Sequence, residues 1–173
     1  MRLTPIFTTL SFFTASLALT GAATLDRADS RFVTNAAEGG LAEVRLGELA
    51  KQKGSNQTVT SFGEQMVRDH TEANNQLKSV ATNKGITVPD SLNAKDQALY
   101  DRLSKLSGSQ FDQAYINAMV KDHQEDVAEF RRISRTAKDS DIKDFASKTL
   151  PALEHHLEMA QQAQQLLGSS STK

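Results

Sequence analysis

The chain has no cysteine among its 173 residues. Disulfides and thiolate ligation are therefore excluded, and any metal must be held by histidine, carboxylate or methionine. Proline is almost as scarce, at Pro5, Pro89 and Pro151 only. No stretch alternates apolar and polar residues as a half-buried strand does. An excess of either charge is also missing, because 20 Lys and Arg stand against 21 Asp and Glu. That balance gives no electrostatic case for a nucleic-acid partner or for a basic membrane-binding face.

A long apolar run is lacking too. The weakly apolar stretch from Ile6 to Ala18 is diluted by Thr8, Thr9, Ser11, Thr14 and Ser16. It falls short of the ~20 apolar residues that span a bilayer. It follows Arg2 and leads into the small residues "TGAA", the layout of a secretory signal. Residues 1–23 are expected to be removed by cleavage after Ala22 or Ala23. The mature chain is expected in the periplasm or cell envelope, with no integral membrane segment and, lacking cysteine, no lipid anchor.

What is present is helix-forming sequence. Long helices are expected at about 30–53, 57–84, 110–137 and 142–167, forming one domain over 30–167, with a disordered tail at 168–173. Gly54, the Gly85–Pro89 stretch and the Lys138–Asp141 stretch punctuate them. The first and second helices are joined by a short turn, as are the third and fourth. Short turns make antiparallel neighbours. The second and third are joined by a long connection, from about Gly85 to Ser109, with a short amphipathic helix inside. Two hairpins and one long crossover define a ferritin-like, all-α four-helix bundle.

Two near-identical words sit on the helices flanking that crossover: MVRDH, ending at His70, and MVKDH, ending at His123. Each histidine continues the inward stripe of its helix, from Phe62 and Met66 to His70 and from Tyr115 and Met119 to His123. On the fourth helix, steps of four, three and four through Thr149, Leu153, His156 and Ala160 turn His156 inward. His155 is rotated about 100° away, towards the rim. The first helix offers Glu43, between Gly40 and Gly47 on a line of small residues. Glycines inside a helix cost ~1 kcal/mol each, and close helix approach is the compensating gain.

Glu43, His70, His123 and His156 lie near the middles of their helices and are expected to converge. One carboxylate and three imidazoles suit a single Zn, Cu or Fe ion. Protonation of the imidazoles should weaken such a site below about pH 6. The competing reading is a closed polar network that fixes helix register, with Asp69 and Asp122 as surface partners of the adjacent histidines. Met66 and Met119 suit core filling better than thioether ligation. Tyr115 is expected in the core with its hydroxyl bonded. Pro151 interrupts the last helix at a cost of ~3 kcal/mol, and the bend it implies would aim His156.

The blocks FVTNAAEGGLAEVRLGELA, MVRDH, FDQAYINAMVKDH and LPALEHHLEMA, in this order, resemble the bacterial family catalogued as domain of unknown function 4142. The likeness runs from about Arg31 to Leu167. It implies a ferritin-like fold and export, since members are often labelled outer membrane proteins, and it implies no agreed activity. A likeness to exported His- and Met-containing bundles linked to copper handling is also present. Di-iron bundles place a Glu three residues before a ligand His. Here Val67, Val120 and Leu153 occupy those positions, so ferroxidase and oxygenase chemistry is disfavoured. Four protein ligands would also close a tetrahedral site, which disfavours an enzyme. The readings are an envelope metal-binding protein for buffering or tolerance, and a metal-free envelope stress or interaction module.

Overall fold

The computed structural model describes residues 25–170. The expected signal, 1–23, lies outside them, as do residues 171–173. Regular structure among the described residues is helical throughout: α1 (Arg27–Lys53), α2 (Gln57–Asn83), α3 (Ala94–Ser104), α4 (Gly108–Thr136) and α5 (Ser140–Ser170). The chain is all-α, with no strand among the described residues.

Local chemistry sets the boundaries. Asp26 caps α1 by accepting from the Ala28 N–H, so α1 starts earlier than its apolar stripe suggests. Asn56 caps α2 and Asn93 caps α3 in the same way. Gly85, at φ 69°, takes the left-handed conformation that ends α2. α5 continues unbroken past the exposed Pro151. It also continues past Leu167, so Gly168–Ser170 are helical where a disordered tail was expected. Leu167 is buried, and the Ser169 hydroxyl donates to the Leu166 carbonyl, which together hold that last turn.

Two buried aspartates fix how the ends meet. Asp112, near the start of α4, accepts from the Ser55 N–H, the Ser55 hydroxyl and the Asn56 N–H in the α1–α2 turn. Asp29, in the first turn of α1, accepts from the Lys138 and Asp139 N–H groups in the α4–α5 turn. Each helix pair thus satisfies the turn of the other. Lys84, just past α2, bonds Asp139 and Asp141 at the start of α5. The connection 84–107 must therefore carry the chain from one end of the molecule to the other, and α3 lies along α1 and α4 on the way.

α1 packs most closely on α2, and α4 on α5. A Cβ on Gly47 would lie 2.8 Å from the Gly63 carbonyl oxygen, and one on Gly63 would lie 2.8 Å from the Gly47 carbonyl oxygen. The close approach expected along this line is present at Gly47, with Gly63 as its counterpart on α2, while at Gly40 the Asn74 side chain occupies the space a Cβ would take.

The apolar interior is in two parts. One surrounds Phe62, Met66, Phe111, Tyr115 and Met119. The other surrounds Phe32, Leu77, Phe130, Ile133 and Phe145. On α1 the two are separated by residues 38–45, on α2 by 67–76, on α4 by 121–126 and on α5 by 154–159. That gap is where the chain's buried histidines lie.

Candidate metal centre

Glu43, His70, His123 and His156 come from α1, α2, α4 and α5. Their relative exposures are 2%, 5%, 0% and 1%. Burial of four such groups is costly unless they are bonded or neutralised. The imidazoles form a near-equilateral triangle, with ring centroids 5.7 Å apart for His70–His123, 5.2 Å for His70–His156 and 5.5 Å for His123–His156. One ring nitrogen from each lies within 4.8 Å of the other two. His155 is exposed, as its position on the helix predicts.

Each ring is held from outside by one nitrogen. His123 Nδ1 donates to the Met119 carbonyl at 3.1 Å. A carbonyl only accepts, so in the neutral ring Nε2 bears the lone pair. His156 Nε2 lies 2.7 Å from Asp69 Oδ2. Partial burial works to raise the Asp69 pKa, but hydrogen bonds from Gln65 and His156 outweigh it and hold the carboxyl below its usual value. Asp69 is thus the acceptor, which leaves the lone pair of His156 on Nδ1. His70 Nδ1 lies 2.7 Å from Glu43 Oε2.

The remaining nitrogens, His70 Nε2, His123 Nε2 and His156 Nδ1, are buried and have no hydrogen-bond partner. Such orphans are rare in folded proteins and call for a physical reason. His123 and His156, each anchored through one nitrogen to a carbonyl or carboxylate with the other nitrogen free, have the tautomer and orientation of metal ligands, and His70 takes the same tautomer when Glu43 is ionised. The donor set therefore fits a transition metal ion.

Glu43 has a second oxygen, Oε1, 3.3 Å from His123 Nε2 without hydrogen-bond geometry. Burial pushes the Glu43 carboxyl well above its usual range, and the charges of Asp122 and Asp96 push it further. Without a cation, burial favours its protonated form. Burial also lowers all three imidazoles. His123 falls to about 3, with repulsion from His70 and His156 adding to burial. His156 falls to about 4, although its bond to Asp69 opposes the shift. His70 falls because burial outweighs the attraction of Asp126, Asp122 and Asp69. The rings are neutral at physiological pH, as ligation requires. Protonation of His123 and His156 therefore sets in at lower pH than in free imidazoles.

Three carboxylates near the site were not assigned to it from sequence. Asp69 and Asp122 were expected to serve the histidines beside them on their own helices, but Asp69 bonds His156 across to α5. Asp122 is half-buried, and burial raises its pKa to about 6. Asp126 is raised well above the usual range by burial and by Glu43 and Asp122. It borders a cavity of about 20 Å³ shared with Glu43, His70, Asn74 and Thr149, room for one water. The legible signal was the repeated Asp-His pair, together with Asp126 one turn after His123.

Met66 and Met119 are fully buried in the apolar core. Tyr115 stacks on Phe111, with centroids 5.8 Å apart. Its hydroxyl is buried without a hydrogen-bond partner, contrary to the expectation of a bonded one.

The fold and this cluster define an all-α protein with a buried His/Glu centre. The chain belongs to the family described as a domain of unknown function, DUF4142, whose model matches residues 14–163. Its fold is similar to the crystal structure of a DUF305 fragment from Deinococcus radiodurans, at 15% identity and TM-score 0.71, over 84% of this chain and 98% of that one. It is also similar to CopM in the Cu(I)-bound form, at 15% identity and TM-score 0.66, over 79% of this chain and 95% of that one. CopM in the Cu(II)-bound form matches at 15% identity and TM-score 0.67, over the same 79% and 95%. At such identity the likeness is one of fold. No curated protein matches the chain.

Proposed function

We propose that this protein is an exported transition-metal-binding protein for buffering or tolerance in the periplasm or envelope. Its fold is a ferritin-like four-helix bundle of α1, α2, α4 and α5, with 84–107 as the crossover. The observation that carries the function is the trio of buried, unpartnered ring nitrogens, His70 Nε2, His123 Nε2 and His156 Nδ1. They would hold one ion, while Glu43 orients His70 and Asp69 orients His156. Glu43 Oε1 is available as a fourth donor. Three imidazoles suit Cu, Zn or Fe, and the copper-bound CopM structures with a similar fold favour copper. No helix among the described residues is long and apolar enough to cross a membrane.

One observation favours a second reading. With its proton, Glu43 closes directly onto His70 at 2.7 Å, as a structural polar layer between two apolar clusters would. Under that reading the protein is a metal-free envelope stress or interaction module. Elemental analysis of protein purified without a His tag, from metal-supplemented cells, separates the two. The metal reading predicts near-stoichiometric copper or zinc, and the polar-layer reading predicts none.

A further inference from the structure

The three imidazoles are sealed from solvent, so an ion needs a way in. A second group of potential ligands overlaps the first. Glu43, Asp122 and His123 each offer a donor atom within 4.8 Å of the others. Glu43 Oε1 and His123 Nε2 lie 3.3 Å apart, and both are buried without a hydrogen-bond partner. The third residue, Asp122, is half-buried and borders an open groove of about 420 Å³ between α3 and α4. Ala98 and Leu99 of α3 form part of the opposite wall.

We propose that Glu43, Asp122 and His123 form an outer cation position that takes a divalent ion from the groove between α3 and α4 and passes it to the three imidazoles. The proposal rests on the metal-binding reading above. His123 has one free nitrogen, because Nδ1 is committed to the Met119 carbonyl. The outer and inner positions therefore share His123 Nε2 and exclude each other, so the chain holds one ion at a time. The outer set has two carboxylates and one imidazole, suited to an ion that still carries water. The inner set has three imidazoles, which a borderline ion such as Cu(II) or Zn(II) prefers. Transfer inward exchanges oxygen donors for nitrogen while His123 stays bound, and the ion is never without a protein ligand.

Lys95, Arg102 and Lys121 line this groove together with the carboxylates of Asp122 and Glu125.

The test is stopped-flow loading of the purified protein with Cu(II), followed by quenching of tyrosine fluorescence. The chain has two tyrosines and no tryptophan, and Tyr115 is buried at an edge-on contact with Phe62, which itself touches His123. Release is measured by a chase with excess chelator. With Asp122→Asn, loading should slow by about tenfold or more, the low end of the range over which charge in a cleft alters on-rates. Release should slow in parallel, because an on-path station serves both directions. Ala98→Phe, at an exposed position on the groove wall, should slow both rates while leaving one ion per chain at the end point. Asp90→Asn, in the connection outside this groove, should load at the unmutated rate. Unchanged loading in Asp122→Asn or Ala98→Phe overturns the proposal. Faster release from Asp122→Asn also overturns it, because Asp122 would then be a permanent ligand. If the unmutated protein takes up no copper, the metal-binding reading fails, and the outer position fails with it.

Discussion

Glu43 Oε2 lies 2.7 Å from His70 Nδ1, with both side chains removed from solvent. The pair can hold its proton in two ways. A protonated carboxyl donates to Nδ1 and leaves an N–H at Nε2. An ionised carboxylate accepts from Nδ1 and leaves a lone pair at Nε2. Burial favours the first when no cation is near, and a cation at Nε2 favours the second. The same contact can therefore serve as a neutral network and as the outer support of a metal ligand.

Metal loading should release a proton from this pair. Calorimetric titration with Cu(II) at neutral pH, in buffers of different ionisation enthalpy, should give about one proton released per ion. Release of none would mean that Glu43 is already ionised and would remove this account of the pair.

Glu43→Gln and Asp69→Asn should each weaken copper binding by roughly 10- to 100-fold without abolishing it, the usual effect of losing a ligand's outer partner. Competition with a chelator of known affinity measures this. An unchanged affinity in both variants would show that the rings need no such support.

The pH dependence of the metal-free protein should carry two opposed contributions. His123 and His156 titrate at about 3 and about 4 in the folded chain, against 6.5 for the free ring. As pH falls below 6.5 the unfolded chain takes up these protons first, so stability declines towards pH 3. Glu43 and Asp126 are shifted upward, so the folded chain holds their protons longer. Their contribution is present at low pH and is lost as pH rises from about 4 upward through their raised folded values. Thermal melts from pH 3 to 8 should show a shallower acid decline in His123→Gln and a smaller loss towards neutral pH in Glu43→Gln. Identical profiles for both variants and the unmutated chain would contradict these shifts.

Two glycines on α1 should respond oppositely to alanine. A Cβ at Gly47 meets the Gly63 carbonyl oxygen at 2.8 Å, whereas nothing lies within 4 Å of one at Gly39. Gly47→Ala should destabilise by about 1–3 kcal/mol as α1 and α2 are forced apart. Gly39→Ala should stabilise by up to about 1 kcal/mol through helix propensity. Denaturant unfolding checks both signs.

Much of this was legible in the sequence because helical spacing fixes which way a side chain points. Glu43, His70, His123 and His156 were placed inward by steps of three and four, and His155 outward. Spacing does not reveal what stands opposite. Asp69 is one residue from His70 and so rotated away from it. Only the position of α5 shows that this rotation aims it at His156. Asp122 reads as a surface charge until α3 is laid beside it. The Tyr115 hydroxyl was expected to find a partner, and the apolar packing around Phe62 and Phe111 leaves it none. The helical turn at Gly168–Ser170 was read as a tail because its composition is polar, while the residue that anchors it, Leu167, lies just before.

The most direct test is calorimetric titration of the unmutated protein, His123→Ala and His155→Ala with Cu(II), paired with melting curves. The account predicts one tight site per chain in the unmutated protein and in His155→Ala. It predicts a copper-dependent rise in melting temperature in both, and neither effect in His123→Ala. If the unmutated protein binds copper no more tightly than an exposed histidine does, and His123→Ala merely lowers the melting temperature of the metal-free chain, the buried histidines are a structural layer and the metal account is wrong.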